Sequence, residues 1–75
     1  MIDISKTYQT KSGKRVVNII YTPFNSNGQK VTYPIKGSIV LKEKPIKLNY
    51  QIWSEEGIYD IVYGSHPELN LMEIN

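Results

Sequence analysis

The chain has 75 residues, 40% of them hydrophobic and 21% charged, and a formal net charge of +2. This length allows one small domain, and the composition is typical of globular rather than disordered proteins. The absence of cysteine excludes disulfides and thiolate metal sites, and no apolar run has the length of a signal peptide or a membrane span. We therefore expect a single domain over residues 1–75 that is soluble and cytoplasmic.

The residue types favour β structure. The sequence contains no alanine, whereas it has 11 isoleucines, 5 valines, 4 threonines and 6 tyrosines. Alanine is the best helix former, and β-branched and aromatic side chains fit a pleated, half-buried surface. These frequencies predict an all-β chain.

Alternating apolar and polar residues predict a first strand over residues 2–9, followed by a turn at 11–14. The run Arg15–Thr22 is apolar almost throughout, which predicts a central strand buried on both faces. Asn27-Gly28 is then a strong hairpin signal.

A third strand is predicted over residues 35–42, with Ile35, Ile39 and Leu41 on one face. A fourth strand is predicted over residues 46–53. Here we assign one face to the core and the other to solvent: the core set is Ile46, Leu48, Tyr50 and Ile52, and the solvent set is Lys47, Asn49, Gln51 and Trp53.

After a turn at 55–57, a fifth strand is predicted over residues 58–63 and a short sixth strand over 69–74. Ser65 and Glu68 have capping-box spacing, which predicts one helical turn between them. Five or six short strands indicate a small SH3-like barrel or, alternatively, an OB-like barrel. Closure of the barrel would remove the exposed strand edges.

Three segments follow one another in a recognisable order and spacing: the stretch Tyr8–Val16, the segment Tyr33–Gly37 and the segment Trp53–Tyr59, followed loosely by an acidic-leucine segment at 68–71. Together they resemble small uncharacterised phage and prophage proteins. The resemblance implies a virus-encoded accessory protein with a small β fold that acts in the host cytoplasm. It implies no activity and no site residues.

The sequence lacks the groups that catalysis requires. His66 is the only histidine and lies in a turn, and Glu55 and Glu56 are adjacent in another turn. Neither arrangement is typical of a nucleophile with its base or of an acid–base pair, and no phosphate loop or metal-ligand spacing is present. We predict a protein that is not an enzyme and that has no metal or cofactor.

Charge is divided unevenly along the chain. Residues 1–47 contain all nine lysines and arginines and two acids, a balance of +7, whereas residues 48–75 contain five acids and no base, a balance of −5. The two halves either neutralise each other in the fold or form separate basic and acidic faces.

The basic turn offers the best candidate for an anion site. Lys11, Lys14 and Arg15 flank Gly13, where turn amides form a nest and an arginine binds phosphate in a fork. Trp53, predicted to be exposed, and Tyr59 would provide aromatic surfaces for stacking a base, although Trp53 could instead close the barrel end.

Three functions remain open from these residues. The first is a binding protein that sequesters a phosphorylated nucleotide signal, as a counter-defence role, and we favour it because aromatic and basic residues are expected to converge at turns. The second is a protein-interaction module that inhibits a host protein through a sheet edge or an acidic face. The third is a weak binder of single-stranded nucleic acid. A thin core and opposite charges in the two halves also predict a homo-oligomer.

Overall fold

The computed structural model describes residues 2–61 and 64–74, and the all-β class with one short helical turn is confirmed. The described part contains a 3-10 turn at Pro67–Leu69 and the following strands: β1 Thr7–Thr10, β2 Arg15–Tyr21, β3 Ile35–Glu43, β4 Ile46–Trp53, β5 Asp60–Ile61, β6 Gly64–Ser65 and β7 Leu71–Ile74.

Five strands form one antiparallel sheet in the order β4-β3-β2-β1-β7, and β5 and β6 form a separate small ladder. The first four strands are a meander, and β7 returns after the 3-10 turn to pair with β1, an order that is compatible with a small barrel-like fold. Among the described residues β4 and β7 are not paired with each other. The sheet is therefore open, and the expected closure does not cover its edges.

A bulge bends β2 in the middle of the sheet. Val17 pairs with Ser38 and Ile20 pairs with Lys36, so two residues of β2 oppose the single residue Gly37. One of the two is Asn18, whose φ of 57° lies in the left-handed region that asparagine tolerates better than most residues. The prediction that this strand is buried on both faces is wrong, because Ile20 lies on the exposed face.

The first strand is shorter than predicted because residues 3–6 form a local turn. The Asp3 carboxylate accepts hydrogen bonds from the Ser5 amide at 2.9 Å and the Ser5 hydroxyl at 2.6 Å. The Lys6 amide donates to the Asp3 carbonyl at 3.0 Å. Such side-chain bonds compete with a strand ladder, so β1 begins only at Thr7.

The C-terminal region also departs from the sequence pattern. The predicted fifth strand reduces to Asp60–Ile61 within the described residues, and its positions 62 and 63 lie outside them. The 3-10 turn begins after His66 with no side-chain cap bond, so the predicted capping box is wrong.

The core lies on one side of the sheet, which we call the inner side. Its buried cluster contains Val16 from β2, Ile35 and Ile39 from β3, Trp53 from β4, and Tyr59. Leu41, predicted to share the face of Ile35 and Ile39, is exposed because a second irregularity separates Val40 from Lys42.

The face assignment of the fourth strand is inverted. Trp53 pairs with Ile35, and Asn49 pairs with Ile39, so the residues assigned to solvent lie on the core side. Tyr50, assigned to the core, is 61% exposed. The inner side of β4 is thus polar except for its tryptophan, and the outer side is apolar.

Candidate functional site

The backbone amides of the basic turn are already occupied by acceptors within the protein. Lys11 and Ser12 donate to the carbonyls of Asn70 and Glu68, each at 3.0 Å. Gly13 donates to the Thr10 carbonyl at 2.9 Å, and the Lys14 amide donates to the Thr10 hydroxyl at 3.1 Å. An anion would have to displace these bonds, so the predicted amide nest is wrong.

The three basic side chains of this hairpin are exposed, whereas Trp53 and Tyr59, the aromatic residues predicted to act with them, are buried. Arg15 Nη2 lies 3.1 Å from Glu43 Oε1 in an exposed ion pair, which competes with any incoming phosphate. Lys11 and Lys14 remain as solvated cations at the hairpin tip, an arrangement that is common on small soluble domains.

Trp53 and Tyr59, predicted to bind the ligand, are core residues. Trp53 is 0% exposed, and its indole N–H donates to the Leu69 carbonyl at 2.8 Å. Tyr59 is 6% exposed, donates from its hydroxyl to Gln51 at 2.7 Å, and packs edge-to-face on Trp53 at a centroid distance of 6.4 Å. The prediction that Trp53 points away from the core is wrong, because its large ring fills the space under the 3-10 turn.

Ion pairs connect the basic and acidic halves of the chain. Lys6 Nζ lies 3.3 Å from Glu73 Oε1 across β1 and β7, and Lys30 Nζ lies 3.8 Å from Glu55 Oε1. Desolvation and then the Glu55 carboxylate, which accepts a 3.4 Å bond from the Tyr21 hydroxyl, raise the pKa of Tyr21. The halves thus neutralise each other at these two places.

A mostly apolar surface, interrupted by Lys36 and Ser38 of β3, covers the outer side of β2, β3 and β4. Directly paired residues of antiparallel strands lie on the same face of a sheet, and the register aligns Ile20, Lys36 and Ile52 in one row and Val17, Ser38 and Tyr50 in the next. Val40 and Leu48 form a third row. We call this surface the outer apolar face, defined by Val17, Ile20, Ile46, Leu48, Tyr50 and Ile52; Val40, in its third row, is buried at 7% exposure.

The part of the outer apolar face on β4 is the most exposed. Ile46, Leu48 and Tyr50 are 59%, 45% and 61% exposed. Within the described residues β4 pairs only with β3, so one edge of this strand has no neighbouring strand. Apolar side chains and unpaired backbone groups therefore occur together along one strand.

A shallow groove extends the outer apolar face toward the hairpin at residues 24–30. Its lining includes Lys30, Thr32, Tyr33, Lys36 and Ile52. It is open to solvent and two of its lining residues are cations, so it forms a basic border to the apolar surface.

The titratable side chains predicted to have no catalytic role lie apart from one another or pair with neighbouring residues. Within the described residues, no group of three or more His, Cys, Asp or Glu side chains could hold a metal ion. His66 is exposed, with Nδ1 3.4 Å from Glu68 Oε1 and its ring 5.9 Å from that of Tyr59. Glu55 is used in the contacts to Lys30 and Tyr21 described above.

No family model, curated protein or solved structure matches this chain. Across residues 2–61 and 64–74, no helix is both long enough and apolar enough to span a membrane.

Sequence reasoning missed the exposed side of β4 because it placed the apolar half of an alternating strand in the core. The signal that could have corrected it was Trp53, the one large apolar residue in the polar half. The burial of this one tryptophan determines which face of β4 lies in the core. Its indole N–H is hydrogen-bonded and its ring contacts Tyr59, and both interactions hold the polar face of β4 on the inner side.

Proposed function

We propose that the chain is a non-enzymatic protein-binding module, and that it binds through the outer apolar face and the free edge of β4. The observation that supports this function is the exposure of Leu48 and Tyr50 at the centre of an edge strand. Contiguous exposed apolar surface marks interaction sites on soluble proteins, and tyrosine is a common anchor residue in interfaces.

The edge of β4 lacks the usual protection. Natural edge strands avoid unwanted pairing with prolines, charged side chains, bulges or short length. β4 has eight residues, no proline and one charged residue, Lys47. An edge of this kind is suited to β-augmentation, in which a partner strand adds main-chain hydrogen bonds and its side chains fill adjacent positions.

The geometry gives less support to nucleotide binding or single-strand binding. Both functions require a stacking surface next to basic groups, whereas Trp53 and Tyr59 are buried and Arg15 is paired with Glu43. The resemblance to phage accessory proteins remains a prediction, and it is compatible with a host protein or a second copy as the partner.

Site-specific photo-crosslinking tests the proposed function. A benzophenone amino acid is placed at Tyr50 and, as a matched control, at Phe24, which is 62% exposed but lies in the hairpin outside the outer apolar face. The full-length protein is irradiated in the cells that produce it, and its adducts are identified by mass spectrometry.

We expect a discrete protein adduct from position 50 that is absent from position 24 and is lost when Leu48→Lys is added. Equal, diffuse labelling from both positions would contradict the proposed function, because the outer apolar face would then be ordinary surface.

A further inference from the structure

We infer that the partner at the free edge of β4 is a second copy of the chain, whose β4 pairs antiparallel with the first β4 around a two-fold axis at Asn49. The two sheets would then join edge to edge into one. This inference rests on the proposed function and adds to it the identity of the partner and the register.

The sequence of β4 is self-complementary in this register. Centring the pair on Asn49 places Leu48 opposite the partner's Tyr50 and Ile46 opposite the partner's Ile52. The outer side thus pairs apolar residues with apolar residues, which is the favourable kind of cross-strand contact. On the inner side Lys47 faces the partner's Gln51. The lysines of the two copies are therefore not opposite each other, and their charges do not repel at short range.

Neighbouring registers fit less well. A shift that pairs Tyr50 with the partner's Tyr50 places Lys47 against the partner's Trp53, which is fully buried and held by Leu69. A shift that pairs Leu48 with the partner's Leu48 shortens the ladder, because Ile52 then lies opposite Lys44 in the turn before β4.

Charges at the strand ends also favour a second copy. The connection before β4 contains Lys42 and Lys44, and the turn after it contains Glu55 and Glu56. Antiparallel pairing brings the start of one strand near the end of the other, so a basic turn meets an acidic turn twice by symmetry. Glu43 and Glu55 are each paired within the chain, with Arg15 and Lys30, so the charge contribution to this pairing is modest.

The other edge of the sheet is less suited to the same pairing. β7 has four residues, and the Leu71 amide already donates to the Gly57 carbonyl at 2.8 Å. A dimer through β4 leaves β7 in place and is closed, because a two-fold contact uses the same surface on both copies.

Engineered cysteines test the register directly, since the native chain has none. Opposed residues of an antiparallel pair have Cα atoms about 4.5–5.5 Å apart, within disulfide reach. We expect Asn49→Cys to form a covalent dimer under oxidised glutathione, and a mixture of Leu48→Cys with Tyr50→Cys chains to form a mixed dimer. Ser26→Cys, in the exposed hairpin, is the control for random collision.

Sedimentation of the purified protein tests the dimer itself. We expect wild type to sediment at twice the 8.6 kDa chain mass, Leu48→Lys to raise the dimer dissociation constant by about tenfold or more, and Phe24→Lys to leave it unchanged. Circular dichroism on each variant verifies that the monomer stays folded.

Wild type that remains monomeric up to high micromolar concentration would overturn the inference, as would an Asn49→Cys disulfide yield no higher than that of Ser26→Cys. If position 50 nevertheless crosslinks to a different protein, the proposed function stands and the partner is heterologous. If position 50 forms no specific adduct at all, both fail.

Discussion

The two sides of β4 differ in what they contribute to the protein. The inner side has a polar sequence, yet it holds the completely buried Trp53, and its glutamine is satisfied by Tyr59 at 2.7 Å. The outer side has an apolar sequence, yet Tyr50 and Leu48 are exposed to solvent. Within one strand, the polar half stabilises the fold and the apolar half is available for association.

This difference shows that alternation identifies a strand without identifying its buried face. Burial follows from the neighbours that each side meets, and the inner side meets Ile35, Gly37 and Ile39 of β3. The polar groups on that side are tolerated because they bond to one another, with the Gln51 amide donating to Asn49 at 3.2 Å.

The largest expected difference in the free energy of unfolding is between the Trp53→Ala and Tyr50→Ala variants. Trp53→Ala leaves a large cavity and should lower the free energy of unfolding by about 3–5 kcal/mol, enough to unfold a small domain. Tyr50→Ala should change the stability of the monomer by about 0.5 kcal/mol or less. Urea denaturation followed by circular dichroism, at concentrations where both chains are monomeric, measures the two. Equal losses would mean that both sides of β4 are packed.

A smaller difference in stability is expected between substitutions at two neighbouring residues of β3. A methyl group added at Gly37 would lie 3.2 Å from Val16 Cγ1 and 3.3 Å from the Val17 carbonyl oxygen, on the inner side. We expect Gly37→Ala to lower the free energy of unfolding by about 1–3 kcal/mol, because the added methyl group overpacks the core. Ser38→Ala, on the outer side, should lower it by about 0.5 kcal/mol or less. The fluorescence of the single tryptophan during denaturation reports both values. A neutral Gly37→Ala would show that the β2 bulge is loosely packed.

Hydroxyl removal gives a finer comparison of the two sides. Tyr59→Phe leaves Gln51 without its 2.7 Å donor inside the protein and should cost about 1 kcal/mol. Tyr50→Phe removes a hydroxyl from an exposed ring and should leave the thermal midpoint of the monomer unchanged. Equal decreases of the thermal midpoint for Tyr59→Phe and Tyr50→Phe, measured by calorimetry, would contradict the assignment of the Tyr59 hydroxyl to the core.

The smallest effects are expected at exposed charges outside β4. Arg15→Ala should lower the free energy of unfolding by less than about 1 kcal/mol, because its partner Glu43 is solvated.

Hydrogen bonds from Ser5 hold the pKa of Asp3 below its usual value. Stability from this group is therefore present above its unfolded pKa of about 4 and lost as pH falls through the folded value. Asp3→Asn should flatten the decline of stability below about pH 4, and an unchanged pH profile would contradict the role of the Asp3 turn.

Much of the fold could be predicted from local chemistry. The turn at Gly13 and the hairpin at Asn27-Gly28 are present, and their glycines have φ values of 92° and 77°. The strands β2, β3 and β4 lie within a residue or two of their predicted bounds, because β2 is a dense apolar run that ends before Pro23, and β3 and β4 alternate with period two. The N-terminal strand failed because Asp3 and Ser5 bond locally.

The candidate site could not be predicted in the same way, because it depends on contacts between distant residues. The sequence shows Lys11, Lys14 and Arg15 around a glycine, but not that the carbonyls of Glu68 and Asn70 occupy the turn amides. Likewise, a tryptophan among polar residues suggests a stacking surface until the 3-10 turn is placed over it.

Backbone amide exchange in β4, measured residue by residue by NMR at low and high protein concentration, tests the central claim most directly. The amides of residues 46–52 that point away from β3 should exchange rapidly in dilute samples and slowly in concentrated ones, because a second β4 covers them. Those that point toward β3 should be protected at both concentrations. If every β4 amide exchanges at the same rate in dilute and concentrated samples, the free edge of this strand does not pair with a second copy.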